Sequence, residues 1–338
     1  MDYFRKKKVV LAGVGKWGLN HLKTLAGLLP KGSLGFYEPD KNAKTEASKT
    51  APSAYIYDTF EDILKDESVV AVVIAAPANL HFPLALETVR AKKHVFVEKP
   101  LAMKVAEGVS LVKNAERKGV TLAVGHILLF DPAYEKLKRM VNRGDLGDVF
   151  YIYAARAKLG TVRVVEDVIF SLASHDIAMV LGLLGKRPSA VSCVGTNALR
   201  NEITDAAVLS LTFEDGIKAY VFTSWLHPTS LRRMTVVGSK ASAIWDETSG
   251  ERLRLLKKGA TITSGGPELY DQGAKVVNVP DGDLLKTELT DFLRSVKSGE
   301  EPKCSGRYGL AVLEVLSAAQ KSVTTGGGAT ALETGALY

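Results

Sequence analysis

Cysteine is almost missing from this sequence, long apolar runs are missing altogether, and aromatic residues fill only 7% of its 338 positions. Two isolated thiols, Cys193 and Cys304, exclude a disulfide framework and a cysteine-built metal centre, both of which need clustered ligands. His21, His81, His94, His126 and His227 show no metal-ligand spacing, so no metal is expected. The longest apolar run, 69–78, is about half of the ~20 residues that a membrane-crossing helix needs. The basic segment 5–8 leads straight into a strand with no cleavable segment, and the expectation is a cytoplasmic protein. A net charge of +7 comes from lysines and arginines mixed with acids along the whole chain. That pattern suits an anionic small molecule better than nucleic acid.

What is present is ordinary globular material, 46% hydrophobic and 24% charged, in a chain long enough for two domains. From 8 to 125, short β-branched runs at 9–12, 34–37, 54–57, 70–75, 95–98 and 122–124 alternate with helical stretches such as 17–29 and 105–118. Short, nearly all-apolar strands separated by helices predict a doubly wound parallel sheet, the α/β Rossmann class, over 1–125. After Asp131-Pro132 the pattern changes to one helix near 134–142 and alternating segments at 149–157, 190–194, 207–213, 217–224, 234–237 and 242–246. Hairpin-like links such as Glu214-Asp215-Gly216 predict an α+β domain over 126–338 with a large, open, mainly antiparallel sheet. A helix at 308–323 is expected to pack back on the first domain, and Gly326-Gly327-Gly328 reads as a flexible tail.

The first strand runs into Gly13-Val14-Gly15-Lys16-Trp17-Gly18 and then a helix. Glycines at that spacing let the backbone approach a pyrophosphate at a helix N-terminus. Glu38 ends the second strand, where an acid accepts hydrogen bonds from both adenosine ribose hydroxyls and repels the extra phosphate of NADP. NAD is therefore expected, with Lys41 close enough to leave dual use open. Glu98-Lys99-Pro100 closes the fifth strand and delivers a lysine to the carboxyl edge of the sheet, where it can stabilise an alkoxide as hydride leaves. In Pro77-Ala78-Asn79-Leu80-His81, His81 is placed to line the cofactor edge, although the same loop equally reads as a helix start. Helical spacing collects Ile169, Leu172, Ala173, Ile177, Val180, Leu181 and Leu184 on one apolar face and sets His175 on the other side, in reach of a hydroxyl proton.

With these pieces in place, the chain resembles the glucose-fructose oxidoreductase, inositol dehydrogenase and rhizopine-catabolism (Gfo/Idh/MocA) family over nearly its whole length. The matching residues are Gly13, Gly15 and Gly18, Glu38, Pro77 to His81, Glu98 to Pro100, and His175-Asp176. The resemblance implies that Lys16, Trp17, Pro77, Asn79, His81, Glu98 and Lys99 help hold the cofactor, and that Lys99 and His175 also handle the hydroxyl proton. Many members carry an aspartate one helical turn before the histidine; here Ser171 stands there, with Asp167 and Asp176 as the nearest substitutes. Three stretches are similar to the branch that acts on nucleotide-linked sugars, including the 3-dehydrogenases of UDP-N-acetylglucosaminuronate. They are Gly125 to Pro132, Arg156 to Arg163, and Ser224-Trp225-Leu226 leading to Arg232-Arg233.

The resulting expectation is an NAD-dependent dehydrogenase oxidising a ring hydroxyl of a UDP-linked amino-sugar uronate. Arg156, Lys158 and Arg163 would supply cations, and Asp176 and His175 would line the sugar. A free sugar or cyclitol is the alternative substrate. A non-catalytic NAD-binding sensor is the alternative class, supported by Ser171. The open sheet face is expected to pair copies of the chain into a dimer or tetramer.

Overall fold

A computed structural model describes residues 2–160, 162, 163 and 165–333. Among them the chain forms two compact units. The first begins with β1 (Lys8–Ala12), α1 (Gly18–Leu28), β2 (Leu34–Tyr37), α2 (Lys41–Thr50), β3 (Tyr55–Tyr57) and α3 (Phe60–Lys65). It continues through β4 (Val69–Ile74), α4 (Ala78–Arg90), β5 (His94–Glu98), α5 (Val105–Lys118) and β6 (Leu122–Gly125). All strand pairs are parallel, in the order β3-β2-β1-β4-β5-β6. Because side chains alternate across a strand, Val9, Leu11, Val73 and Phe96 face one apolar layer while Val10, Ala12, Val72 and Val97 face another. Leu22 and Leu25 of α1 complete the first layer; Ala85 and Val89 of α4 with Leu111 of α5 complete the second. This is the doubly wound sheet that the apolar runs predicted.

The second unit contains α6 (Pro132–Asn142), β7 (Val149–Ala157), α7 (Ser174–Leu184), β8 (Ala190–Thr196), β9 (Ala206–Thr212) and β10 (Lys218–Ser224). Strands β11 (Leu231–Gly238), β12 (Ser242–Asp246), β13 (Leu253–Thr263) and β14 (Gly266–Val276) follow. The chain then forms α8 (Leu284–Ser298), which belongs to the first unit, α9 (Gly306–Thr324), divided between the two, and β15 (Thr330–Ala331). The sheet order is β14-β13-β12-β11-β7-β10-β9-β8-β15. Every neighbour is antiparallel except β7 and β10, which run parallel. One sheet face buries Ile152, Ala154, Leu209, Val221, Met234 and Val236; the other leaves Tyr151, Tyr153, Val194, Val208 and Tyr220 exposed.

Two expectations need correction. The single cut near residue 126 gives way to a discontinuous division, with Met1–Ile127 and Asp283–Leu313 in the first unit and Leu128–Gly282 and Glu314–Tyr338 in the second. The reason is α8, whose apolar face of Leu285, Leu289, Phe292, Leu293 and Val296 packs in the same layer as α1. The glycine run after α9 is also no flexible tail. Gly326 and Gly327 take φ of 77° and 90° in a tight turn, and Ser322 Oγ donates to Gly328 O at 2.6 Å. That turn aims the chain into β15, which pairs with β8. Among the described residues, no helix is long and apolar enough to cross a membrane.

Candidate active site

β1 ends at Ala12, and Gly13 turns away from the strand with φ 90°. A Cβ on Gly13 would lie 2.8 Å from the Ala75 carbonyl carbon and the Ala76 nitrogen, and one on Gly18 would lie 2.2 Å from the Gly13 oxygen. Packing within the protein therefore accounts for these two glycines. Gly15 differs, because a Cβ there meets nothing within 4 Å. Its bareness leaves room for a ligand to approach the backbone, and α1 begins just beyond it with no side-chain cap. Glu38, only 9% exposed, accepts from Val14 N–H at 2.6 Å and from Asp40 N–H at 2.9 Å. The carboxylate at the end of β2 is thereby fixed against the glycine turn. Lys16 and Trp17 are exposed on that turn. These residues fit a dinucleotide: the turn and helix start for pyrophosphate, Glu38 for the ribose hydroxyls.

The end of β5 is wired to the same turn. Trp17 Nε1 donates to Glu98 Oε1 at 2.7 Å, and His21 Nε2 reaches the same oxygen at 2.7 Å. The Lys99 amide donates to Glu98 Oε2 at 3.2 Å. Burial alone would raise the Glu98 carboxyl, but the His21 and Trp17 donors and the Lys99 charge outweigh it and hold it below the usual range. Packing is close: a Cβ on Gly125 at the end of β6 would sit 2.8 Å from Glu98 Oε2.

His126 follows Gly125 and is buried, with neither ring nitrogen bonded among the described residues. Burial first, and the Lys99 charge second, push its imidazole down to about 4, with Glu98 opposing. A histidine depressed in the folded state binds fewer protons than in the unfolded chain. Its contribution is therefore fully present above pH ~6.5 and is lost as the pH falls toward 4, about 3 kcal/mol in all. Urea titrations of the wild type and His126→Phe across that window check this. The wild type is expected to lose stability more steeply, and parallel losses would refute it.

His81 requires a correction. It is buried, and its ring bridges two main-chain carbonyls, Pro100 O at 2.7 Å from Nδ1 and Ala76 O at 2.9 Å from Nε2. With both nitrogens engaged, it holds the loops after β4 and β5 together instead of facing a cofactor. Pro77 and Asn79, at the start of α4, are exposed.

In the second unit a π-helical turn, Ile169–Ala173, runs directly into α7. Such a turn inserts residues into the helical register, so the apolar face and the face of His175 do not stay in phase across it. α7 is buried on nearly every side, and the half-buried positions are Leu172, His175 and Leu184. Leu172 and Leu184, set on the apolar face by helical spacing, are thus half-buried instead of buried. Ser171 is buried and accepts from Trp225 Nε1 at 3.1 Å. Asp167 accepts from Phe170 N–H at 2.9 Å and Gln320 Nε2 at 3.1 Å, and burial raises its carboxyl.

Arg156 and Asp176 are not available to a substrate. Arg156 Nε donates to Asp176 Oδ2 at 2.7 Å, both groups buried, and its Nη1 to the part-buried Glu247 Oε2 at 3.2 Å. Arg232 joins through Glu247 Oε1 at 2.9 Å. Burial opposes the Arg156 charge, but Asp176 and Glu247 more than compensate and raise it further. Arg163 is half-exposed and pairs with Glu166 at 3.0 Å. Lys158 is exposed, its amide donating to Ser224 O at 3.0 Å. Thr161, within the same stretch, lies outside the described residues.

Sequence reasoning passed over His21, His126 as a neighbour of Lys99, and Glu288. A signal existed for two of them. His21 sits one helical turn after Trp17, and Glu288 interrupts the apolar face of α8, where an acid is out of place.

Comparisons with known proteins agree with this architecture. Residues 7–126 match the family model described as an oxidoreductase family with an NAD-binding Rossmann fold, and 134–244 match the GFO/IDH/MocA C-terminal domain. The chain is 28% identical over 302 residues to a UDP-N-acetylglucosamine 3-dehydrogenase of Acidithiobacillus ferrooxidans, covering 89% of this chain and 92% of that protein. It is 25% identical over 330 residues to a myo-inositol 2-dehydrogenase of Thermotoga maritima, covering 94% and 96%. The solved structure of the UDP-N-acetylglucosamine 3-dehydrogenase GnnA from Acidithiobacillus ferrooxidans superimposes with a TM-score of 0.81 at 25% identity, over 94% of this chain and 97% of that one.

Proposed function

Because the chain belongs to the Gfo/Idh/MocA oxidoreductase family, we propose that it is an NAD-dependent dehydrogenase that oxidises a ring hydroxyl of a UDP-linked amino sugar or its uronate. The observation that carries this reading is the chain of hydrogen bonds from Trp17 and His21 through Glu98 to the Lys99 amide, which sets a lysine beside the phosphate-binding turn.

NAD, when bound, supplies the hydride acceptor. Gly15 and the start of α1 receive its pyrophosphate, and Glu38 takes the ribose hydroxyls and disfavours a 2′-phosphate. Lys99 donates to the reacting oxygen and stabilises it as its charge grows. His175 accepts the hydroxyl proton, and the Arg156–Asp176 pair holds the helix that carries it. With Arg156 committed to its acids and Arg163 paired with Glu166, Lys158 is, among the described residues of that stretch, the cation left for a diphosphate or a uronate carboxylate. The outer face of the second unit's sheet, with Tyr151, Tyr153, Val194, Val208 and Tyr220, is assigned to a second copy of the chain, since a twofold pairing would cover it on both copies at once. A monomer in light scattering at assay concentration would refute that assignment.

The nucleotide-sugar reading draws support from the Acidithiobacillus relative. A cyclitol substrate is the second reading, favoured by the near full-length match to the Thermotoga inositol dehydrogenase. Both are tested by adding NAD with UDP-N-acetylglucosamine, its uronate or myo-inositol to purified protein, while following reduced-nicotinamide absorbance and product mass. A keto product from a UDP-sugar is the expected result, and one from inositol alone moves the assignment to cyclitols. Binding of NAD with no turnover of any of the three overturns the dehydrogenase reading and favours a sensor.

A further inference from the structure

Glu288 is a carboxyl group in the wrong place for a surface acid. It lies on α8 between Leu285 and Leu289, is 2% exposed, and neither carboxyl oxygen has a hydrogen-bond partner among the described residues. α8 packs in the same apolar layer as α1, over Phe96, whose ring centroid lies 5.7 Å from those of both His21 and Phe292. The ionisable groups around Glu288 are Glu98 on β5, Asp291 one turn on along α8, and Cys304 ahead of α9, with His21 on α1, Lys99 and His126 around Glu98 itself.

Proton accounting narrows what Glu288 can be. Ionised Glu98 only accepts, so His21 must use its Nε2 proton on Glu98 Oε1. The other ring nitrogen, Nδ1, is buried with no partner among the described residues. A second carboxylate close to Glu98 would be costly, and burial first, then Glu98 and Asp291, raise the Glu288 carboxyl well above its ordinary range. A neutral carboxylic acid carries one donor, which matches the acceptor that an Nε2–H imidazole has at Nδ1. Buried water is held where two to four polar atoms converge.

We propose that Glu288 is a positioning residue of the Lys99 site: as a neutral acid it donates, through a buried water, to Nδ1 of His21, and so fixes the imidazole that holds Glu98. Its effect on turnover rests on the dehydrogenase reading; its effect on His21 does not. The test uses the full-length wild type, Glu288→Gln and Glu288→Met. Infrared spectra at neutral pH are expected to show a protonated-carboxyl band in the wild type that Glu288→Gln removes. Histidine ¹⁵N spectra are expected to show His21 as the Nε2–H tautomer with a hydrogen-bonded Nδ1 in wild type and Glu288→Gln, and to lose that signature in Glu288→Met. Turnover should fall about tenfold in Glu288→Met at nearly unchanged KM for NAD, and return in Glu288→Gln, whose amide still donates. Absence of the infrared band, an unchanged His21 spectrum in Glu288→Met, or Glu288→Gln as damaged as Glu288→Met each overturns the proposal. Should Glu288→Met not fold, the infrared comparison and the wild-type tautomer decide it. Should no substrate turn over, the spectra still do.

Discussion

Lys99→Ala is expected to lower kcat by a factor of about a hundred to a thousand while leaving the dissociation constant of NAD within about twofold. The asymmetry follows from where the contacts lie. The cofactor-binding contacts proposed for the pyrophosphate and the ribose belong to the glycine turn and Glu38, whereas the developing alkoxide depends on the ammonium group. Lys99→Arg is not expected to restore activity, since a planar fork cannot reproduce a compact charge at a single oxygen. A second consequence needs no substrate. The Lys99 charge pushes His126 down, so in Lys99→Ala the His126 imidazole should titrate above its value of about 4, which ring-proton NMR can follow. A raised KM with kcat unchanged would mean that Lys99 serves binding alone, and an unmoved His126 would mean that its charge is not where the structure puts it.

That the Lys99 edge could be found from sequence, and the neighbourhood of Asp176 only in part, has a physical reason. Gly13, Glu38 and Lys99 each directly follow the end of a short buried strand, with Gly15 and Gly18 in the turn and helix start just beyond, and strand ends announce themselves locally. The parallel sheet was legible for the same reason, each strand being almost purely apolar. By contrast β13 and β14 are exposed along much of both faces, so they carry no alternation to detect. α8 has a clear apolar face, but nothing local says that it packs beside α1. Arg156, read as a free cation beside a substrate, is neutralised by Asp176 and Glu247, which lie on α7 and beyond β12. Only the folded chain brings these charges together. The π-helical turn before α7 is similarly invisible, because Ile169 to Ala173 has the composition of any buried helix.

Asp176→Ala is expected to destabilise the second unit by about 3 kcal/mol, at the low end of what breaking a buried ion pair costs. The loss is large because Arg156 keeps its charge whatever the pH and has nowhere to solvate it: its side chain is 8% exposed and that of Asp176 is 0% exposed. It is not larger because Glu247, partly open to solvent, still pairs with Nη1. Denaturant unfolding followed by the fluorescence of Trp225 and Trp245, both buried in this unit, measures the change where it occurs. The double variant Arg156→Met, Asp176→Leu should recover most of the lost stability, since it removes both charges and fills the same space. Turnover should not recover with it. If the ion pair serves to hold α7 and its His175 in register with β7, the double variant will be stable and slow, with kcat reduced and NAD binding intact. A double variant that regained full turnover would leave the pair a purely structural element, and a single variant within about 1 kcal/mol of wild type would show that Asp176 does not carry the charge that Arg156 needs.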